Sequence, residues 1–429
     1  MKSIFTLILL INAFFLLAQT DAQKDKIDKM VTAINDNVIN WRRHLHQFPE
    51  LSNREYNTSA YIASHLKSLG LKVDTQIAHT GVVAVLDSGK PGPTIGLRAD
   101  MDALPVRERV NLPFSSKVES EYLGNKVGVM HACGHDAHVA MLMGVATVLT
   151  EIKKDLRGKV VFIFQPAEEG APPGEEGGAE LMIKEGLIEK YGIEVVFGLH
   201  VSSVVPVGRI NYRPRGIMAA SDEFTIKVKG KQTHGSRPWD GVDPISVSAQ
   251  IILGLQQIVS RQSDLTKAPA VITVGKIESG VRNNIIPEEA TMIGTIRTLD
   301  TEMQDDIHQK MQRTVTLIAE SAGAKAELII KRGYPVTYNN PELTAQMLPS
   351  LEKTAGEQNV VVIPPVTGSE DFSFYAQKVP GLFFFLGAMP PDISSTEATL
   401  HHTPDFYIDE RCFPLGMKAL IQLALDYKN

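Results

Sequence analysis

Apolar positions between Lys24 and Leu69 recur at helical spacing. Ile27, Met30, Val31 and Ile34 lie three or four residues apart and share one face, and Tyr61, Ile62, His65, Leu66 and Leu69 repeat the pattern up to Gly70, a residue suited to end a helix. Short apolar runs follow, bounded by turn residues. Residues 93–98, 159–164, 193–199 and 382–387 read as buried strands, and residues 137–152 as an apolar helix, so strands alternate with helices as in an α/β sheet. Near Gly216 the pattern changes. Phe224, Ile226 and Val228 alternate with polar neighbours, a helix is expected over 243–258, strands near 271–276 and 289–297, a helix over 301–322 and a strand over 326–331. That order, β-α-β-β-α-β, is the ferredoxin-like arrangement of a small α+β unit. It stands between two pieces of the larger sheet, so the expected domains are 23–216 with 332–429, and an insertion, 217–331.

Composition narrows the functional classes. A chain of 429 residues with 43% hydrophobic and 21% charged residues is long enough for two or three globular domains, and a formal net charge of −6 gives no basic surface for nucleic acid or an anionic membrane. At the N-terminus Lys2 precedes an apolar run from Ile4 to Ala18 broken only by Thr6 and Asn12. The run is shorter than the roughly 20 residues of a membrane-spanning helix, and Thr20 and Ala22 suit cleavage before Gln23. Residues 1–22 therefore read as a signal peptide, with an uncleaved anchor as the rival, and the mature chain is expected to be exported without stable membrane insertion.

Candidate chemistry concentrates between Met130 and His138. Cys133 and His135 flank a single glycine, which frees the backbone to turn a thiolate and an imidazole toward one ion, while His131, Asp136 and His138 stand ready as ligands or as partners of the ligating imidazoles. Cys133 could instead pair with Cys412, the only other cysteine, but the ligand-type residues around it favour the thiolate. The expected strands give out into segments bearing Asp100 and Asp102, Glu168 and Glu169, His200, and His402, and ligands in α/β sheets bind at the carboxyl ends of strands. So many donors exceed the needs of one tetrahedral ion, which points to two divalent ions sharing a ligand: zinc, or manganese, with cobalt or nickel open. Side chains alternate along an extended strand end, so Glu168 and Glu169 are expected to face opposite ways, one binding metal and the other moving protons. His234, in a loop of the insertion, is a candidate donor to the oxyanion of a tetrahedral intermediate. A His-rich turn without an ion, and exposed acidic residues after the 159–164 strand, are the plainer alternatives.

Taken together, the segments 98–105, 130–136, 165–170, 198–200, 230–236, 284–287 and 402–404 resemble, in order and spacing, the amidohydrolase subfamily of the aminoacylase and carboxypeptidase G metallopeptidases, which includes N-acyl-amino-acid amidohydrolases, hippurate hydrolases and plant auxin-conjugate hydrolases. The likeness runs from Arg42 to the C-terminal helix. It implies a mixed-sheet, zinc-peptidase-like catalytic domain with an inserted ferredoxin-like lid or dimerisation domain. It also implies metal ligands at Cys133, His135, Glu169, His200 and His402, a general base at Glu168, a carbonyl-polarising histidine at His234, and substrate contacts from Asn284, Arg297 and the backbone of Gly368. Asp100 stands where other branches carry a ligating histidine, so Asp100 and Asp102 are expected behind the ligands. The function expected is hydrolysis of the amide of N-acyl-amino acids or small peptides by a water activated between two ions, with Glu168 as base. An aminopeptidase or dipeptidase requiring a free amino group is the alternative, and a metal-bearing binding protein is a more distant one. The expected partner is a small-molecule substrate, with a homodimer or higher homo-oligomer through the insertion left open.

Overall fold

The computed structural model describes residues 2–428, and of residues 2–22 the backbone only. The expected leader, residues 1–22, lies outside the residues whose side chains are described. The chain divides into two compact units, one of Met1–Tyr212, Asn340–Ile363 and Lys378–Asn429, the other of Arg213–Asn339 and Pro364–Gln377. The segment 364–377, grouped with the larger domain by sequence, thus belongs to the smaller unit. Backbone bonds explain this: Val366 donates to the Ile217 carbonyl and Ala219 to that of Gly368.

The first unit is built on an eight-stranded mixed sheet in the order Lys72–Ile77, Gly81–Asp87, Lys159–Gln165, Thr94–Asp100, Val195–Pro206, Gly381–Met389, Ile210–Tyr212, Val360–Val362. The four central strands, from Lys159–Gln165 to Gly381–Met389, run parallel, so their carboxyl ends share one edge. Their sequences are near-continuous apolar runs because both faces are covered. The helix His135–Glu151 is buried along almost its whole length and packs against the long first helix, Lys2–Gln47, and the last, Phe413–Asp426. Gly144 is what lets these three approach. A β-carbon there would come 2.9 Å from Val38 Cγ2 and 2.5 Å from Met417 Sδ.

The second unit carries the expected β-α-β-β-α-β order. Ala220–Lys229, Ala270–Ser279, Glu289–Thr298 and Lys325–Lys331 form an antiparallel sheet whose spatial order is second, third, first, fourth. The helices Pro244–Gln257 and Thr301–Ser321 bury Ile251, Leu255, Ile307, Met311 and Val315 against its apolar face. Each begins at an aspartate, Asp243 or Asp300, whose side chain accepts from the first turn.

Candidate metal centre

Gly134 opens the centre. It sits at the head of the His135–Glu151 helix with φ +92°, a left-handed conformation that costs other residues about 1–2 kcal/mol, and it reverses the chain so that Cys133 and His135 face the same side. The Cys133 sulfur lies 3.3 Å from His200 Nε2, 3.3 Å from His402 Nε2 and 3.7 Å from His401 Nδ1. Neither Cys133 nor Cys412 is in a disulfide. His402 Nε2 is also 3.1 Å from Glu169 Oε1, and His135 Nε2 lies 3.8 Å from Glu168 Oε2 and 3.9 Å from Glu169 Oε1. Two groups thereby share a carboxylate: Cys133, Glu169 and His402 form one, His135, Glu168 and Glu169 the other.

Two expectations about this centre need correction. His200 does not follow a strand end but lies inside the longer strand Val195–Pro206, which continues through the polar but buried Ser202 and Ser203. Nor do Glu168 and Glu169 face opposite ways. The strand stops at Gln165, and Ala167 takes a left-handed conformation, φ +51°, so both carboxylates reach the same nitrogen of His135. Two buried carboxylates hold that turn: Ala167 N–H donates to Glu55 Oε1 at 2.9 Å, and Glu169 N–H to Asp102 Oδ2 at 3.0 Å.

The imidazoles are fixed by what lies behind them. His135 Nδ1 faces only acceptors, the Asp102 carbonyl at 3.0 Å and Oδ1 at 3.2 Å, so it carries the proton and turns Nε2 toward the carboxylates. His200 likewise donates from Nδ1 to the Val201 carbonyl at 2.7 Å, leaving Nε2 toward the sulfur. His138 has no nitrogen to spare. Its Nε2 accepts from Val201 N–H and its Nδ1 donates to Asp100, whose other oxygen is held by Arg98 at 2.6 Å. Asp100 and His138 are therefore spent on each other. Asp136 is also occupied: Arg42 Nε and His46 Nδ1 each lie 2.8 Å from its Oδ2, all three groups buried. His131 is buried beside this network, and burial above all holds its pKa down to about 4.

These contacts test whether cations fit. The buried His135 Nε2 makes no hydrogen bond, although it faces three carboxylate oxygens, those of Glu168 and Glu169 and, at 3.8 Å, Asp100 Oδ2; a lone pair directed at anions is stable only with positive charge between them. Burial, reinforced by Glu169 and Glu168, pushes the Cys133 thiol far up, and burial pushes His200 far down. For His135 burial opposes protonation, but Asp100, Asp102 and Glu169 prevail and raise its pKa to about 10. A proton on sulfur and one on His135 hold the places that divalent ions would take, and Cys, His and carboxylate donors with oriented imidazoles suit such ions. His401, which no sequence argument selected, is a further donor within reach; its neighbour His402 takes a left-handed backbone, φ +61°.

The four remaining candidates lie in the second unit. His234 and Asn284 share a small ribbon in which His234 pairs with Ile285 and Gly235 N–H donates to the Asn284 carbonyl at 2.8 Å. The Ser236 hydroxyl and N–H both approach His234 Nδ1, leaving Nε2 outward on an exposed side chain. Arg297 Nη1 is 3.3 Å from Ser369 Oγ, next to Gly368.

Comparison with known proteins decides the lineage. The model of peptidase family M20/M25/M40 matches residues 96–426, more than half of the chain. The chain belongs to that family. This family member is 42% identical over 409 residues to thermostable carboxypeptidase 1 of Saccharolobus solfataricus, covering 94% of this chain and 99% of that protein. It is 37% identical over 380 residues to N-acetyl-L-cysteine deacetylase of Bacillus subtilis, covering 89% and 85%. Among solved structures it matches the Bacillus subtilis YXEP protein, described as a dinuclear metal binding peptidase from the M20 family, with a TM-score of 0.76 and 34% identity over 92% of this chain and 98% of that one. It is a metal-dependent hydrolase of the amidohydrolase and metallopeptidase kind.

Proposed function

We infer that the first unit holds two divalent ions through Cys133, His135, Glu169, His200 and His402, and that the enzyme hydrolyses the amide of N-acyl-amino acids or small peptides. The observation that supports this most directly is His135 Nε2, buried, without a hydrogen bond and facing Glu168 and Glu169. The ions, when bound, would polarise the scissile carbonyl and make a water acidic enough to lose its proton near neutral pH. This chain's residues do the rest. Glu169 reaches both donor groups and is assigned to metal, while Glu168, beside His135 and Glu169, takes the role that the resemblance implies, accepting a proton from water and passing it to the leaving amine. Asp102 keeps His135 in the required tautomer and, with Glu55, holds the turn that aims Glu168. His234 takes the role that the resemblance implies, a hydrogen bond to the developing oxyanion.

The test is removal of metal by chelation and its restoration, with turnover measured on a panel of N-acyl-amino acids and the corresponding free dipeptides. Loss and recovery of acyl-amino-acid hydrolysis is expected; activity indifferent to chelator rejects the reading, and a strict requirement for a free α-amino group moves the enzyme to the dipeptidases. We further propose that residues 1–22 are removed on export, which predicts a mature chain starting at Gln23 by mass spectrometry of the exported protein.

A further inference from the structure

We propose that the cavity of about 300 Å³ walled by Leu51, Ala103, Leu104, Tyr122, Leu123 and Pro172 receives the acyl half of the substrate, and that this half is an uncharged apolar group larger than acetyl. The assignment rests on the amide-hydrolase reading above and adds the chemical class to it. Position argues first. Glu169 is part of the cavity wall while its Oε1 lies 3.1 Å from His402 Nε2, so a group attached to a carbonyl at the metal centre passes straight into the cavity.

Charge decides which half of the substrate enters. Arg54 is the sole cation in the wall, and its guanidinium is clamped by both oxygens of Glu175 at 2.5 and 3.0 Å. The wall's other charged groups, Glu121 and Glu169, are carboxylates, and the Ser52 hydroxyl is committed to Asp102 at 2.7 Å. A free α-carboxylate would find no uncommitted cation here, so the amino-acid half is disfavoured and the neutral half favoured.

The hairpin Glu119–Tyr122 and Asn125–Gly128 supplies an independent sign. Its two-residue turn, Leu123-Gly124, has φ +51° and +75°, a geometry that selects Asn, Asp or Gly at its first position. Leucine is disfavoured there, and its side chain is 63% exposed. A large apolar residue that neither the turn nor the core calls for, placed on a cavity beside the metal centre, is explained by contact with a ligand.

The experiment uses the full-length, metal-loaded enzyme with acetyl, butanoyl, hexanoyl and benzoyl derivatives of one amino acid. Each methylene buried should raise kcat/KM by about fourfold until the cavity is full, so hexanoyl should exceed acetyl by at least about tenfold. Leu123→Asn, which suits the turn and should not impair folding, is expected to lower the hexanoyl-to-acetyl ratio by about tenfold. Leu104→Trp, filling the cavity, should lower it further, and Leu104→Ala should move the optimum to a longer chain. A ratio near one in the native enzyme, or one unchanged by Leu123→Asn and Leu104→Trp, overturns the assignment. If no acyl-amino acid is turned over while free dipeptides are, the amide-hydrolase reading itself fails, an outcome distinct from a flat acyl-length profile.

Discussion

Replacing Gly134 with alanine should damage the metal centre by two separable routes. The first is backbone: at φ +92° a β-carbon costs about 1–2 kcal/mol. The second is packing, because the new methyl would lie under 3.0 Å from Cγ2 of the fully buried Val201, and overpacking of this kind costs about 1–3 kcal/mol. Together Gly134→Ala should destabilise the apoprotein by about 2–5 kcal/mol and weaken metal binding, since Cys133 and His135 flank the strained residue. Val201→Ala removes the clashing methyl but not the backbone strain. In a double-mutant cycle followed by urea unfolding, the pair should therefore recover about 1–3 kcal/mol of coupling, with the remainder persisting. Coupling near zero would show that Val201 gives way freely, and full recovery would show that the left-handed turn imposes nothing; either result refutes the account of how this turn is held.

Other outcomes can be checked in parallel. Glu168→Gln should retain metal, by elemental analysis, while kcat falls about 10²–10⁴-fold; near-native turnover would move the base elsewhere. Metal must displace protons from Cys133, pushed far up, and from His135, at about 10, so affinity measured by chelator competition should rise steadily between pH 6 and 9, and a flat profile would contradict the protonated ion-free site. Glu55 is buried beside Asp102, and burial chiefly raises its pKa from 4.5 to about 8. The folded state then binds the more protons between those values, so this group's contribution to stability is full below pH 4.5 and is lost as pH rises to 8; Glu55→Gln should flatten the decline in melting temperature over that range. Arg42→Met leaves Asp136 buried without its guanidinium and should cost about 3–5 kcal/mol in chemical unfolding, whereas a loss below about 1 kcal/mol would mean that His46 alone satisfies the carboxylate.

Much of this architecture could be read from the chain because the parallel strands are buried on both faces and show as unbroken apolar runs, and because Phe224, Ile226 and Val228 alternate in the second unit. The gathering of Cys133, His135, Glu169, His200 and His402 was legible for the same reason: each follows, or lies within, one of those runs or its loops. What escaped was set by tertiary contact. Strands such as Ile210–Tyr212 and Val360–Val362 are three residues long and have no period to detect, and residues 364–377 join the second unit through hydrogen bonds to residues some 150 positions earlier. The shared orientation of Glu168 and Glu169 depends on a left-handed alanine, a conformation that no side-chain pattern announces. The Arg42, His46 and Asp136 network links positions about 90 residues apart, so although Asp136 stood out in sequence as a ligand or supporting group, its pairing with Arg42 and His46 did not.

The central sheet interposes Gly381–Met389 between Val195–Pro206 and Ile210–Tyr212, two strands that follow one another in the chain. A nascent polypeptide therefore carries an unfilled slot through most of its synthesis. Until residues near 389 emerge, the longest strand of the sheet offers bare amides and carbonyls to any passing chain, an invitation to edge-to-edge aggregation. Fragments truncated before Gly381 should accumulate as insoluble material, and a synthetic peptide covering residues 381–389 should compete for the same slot.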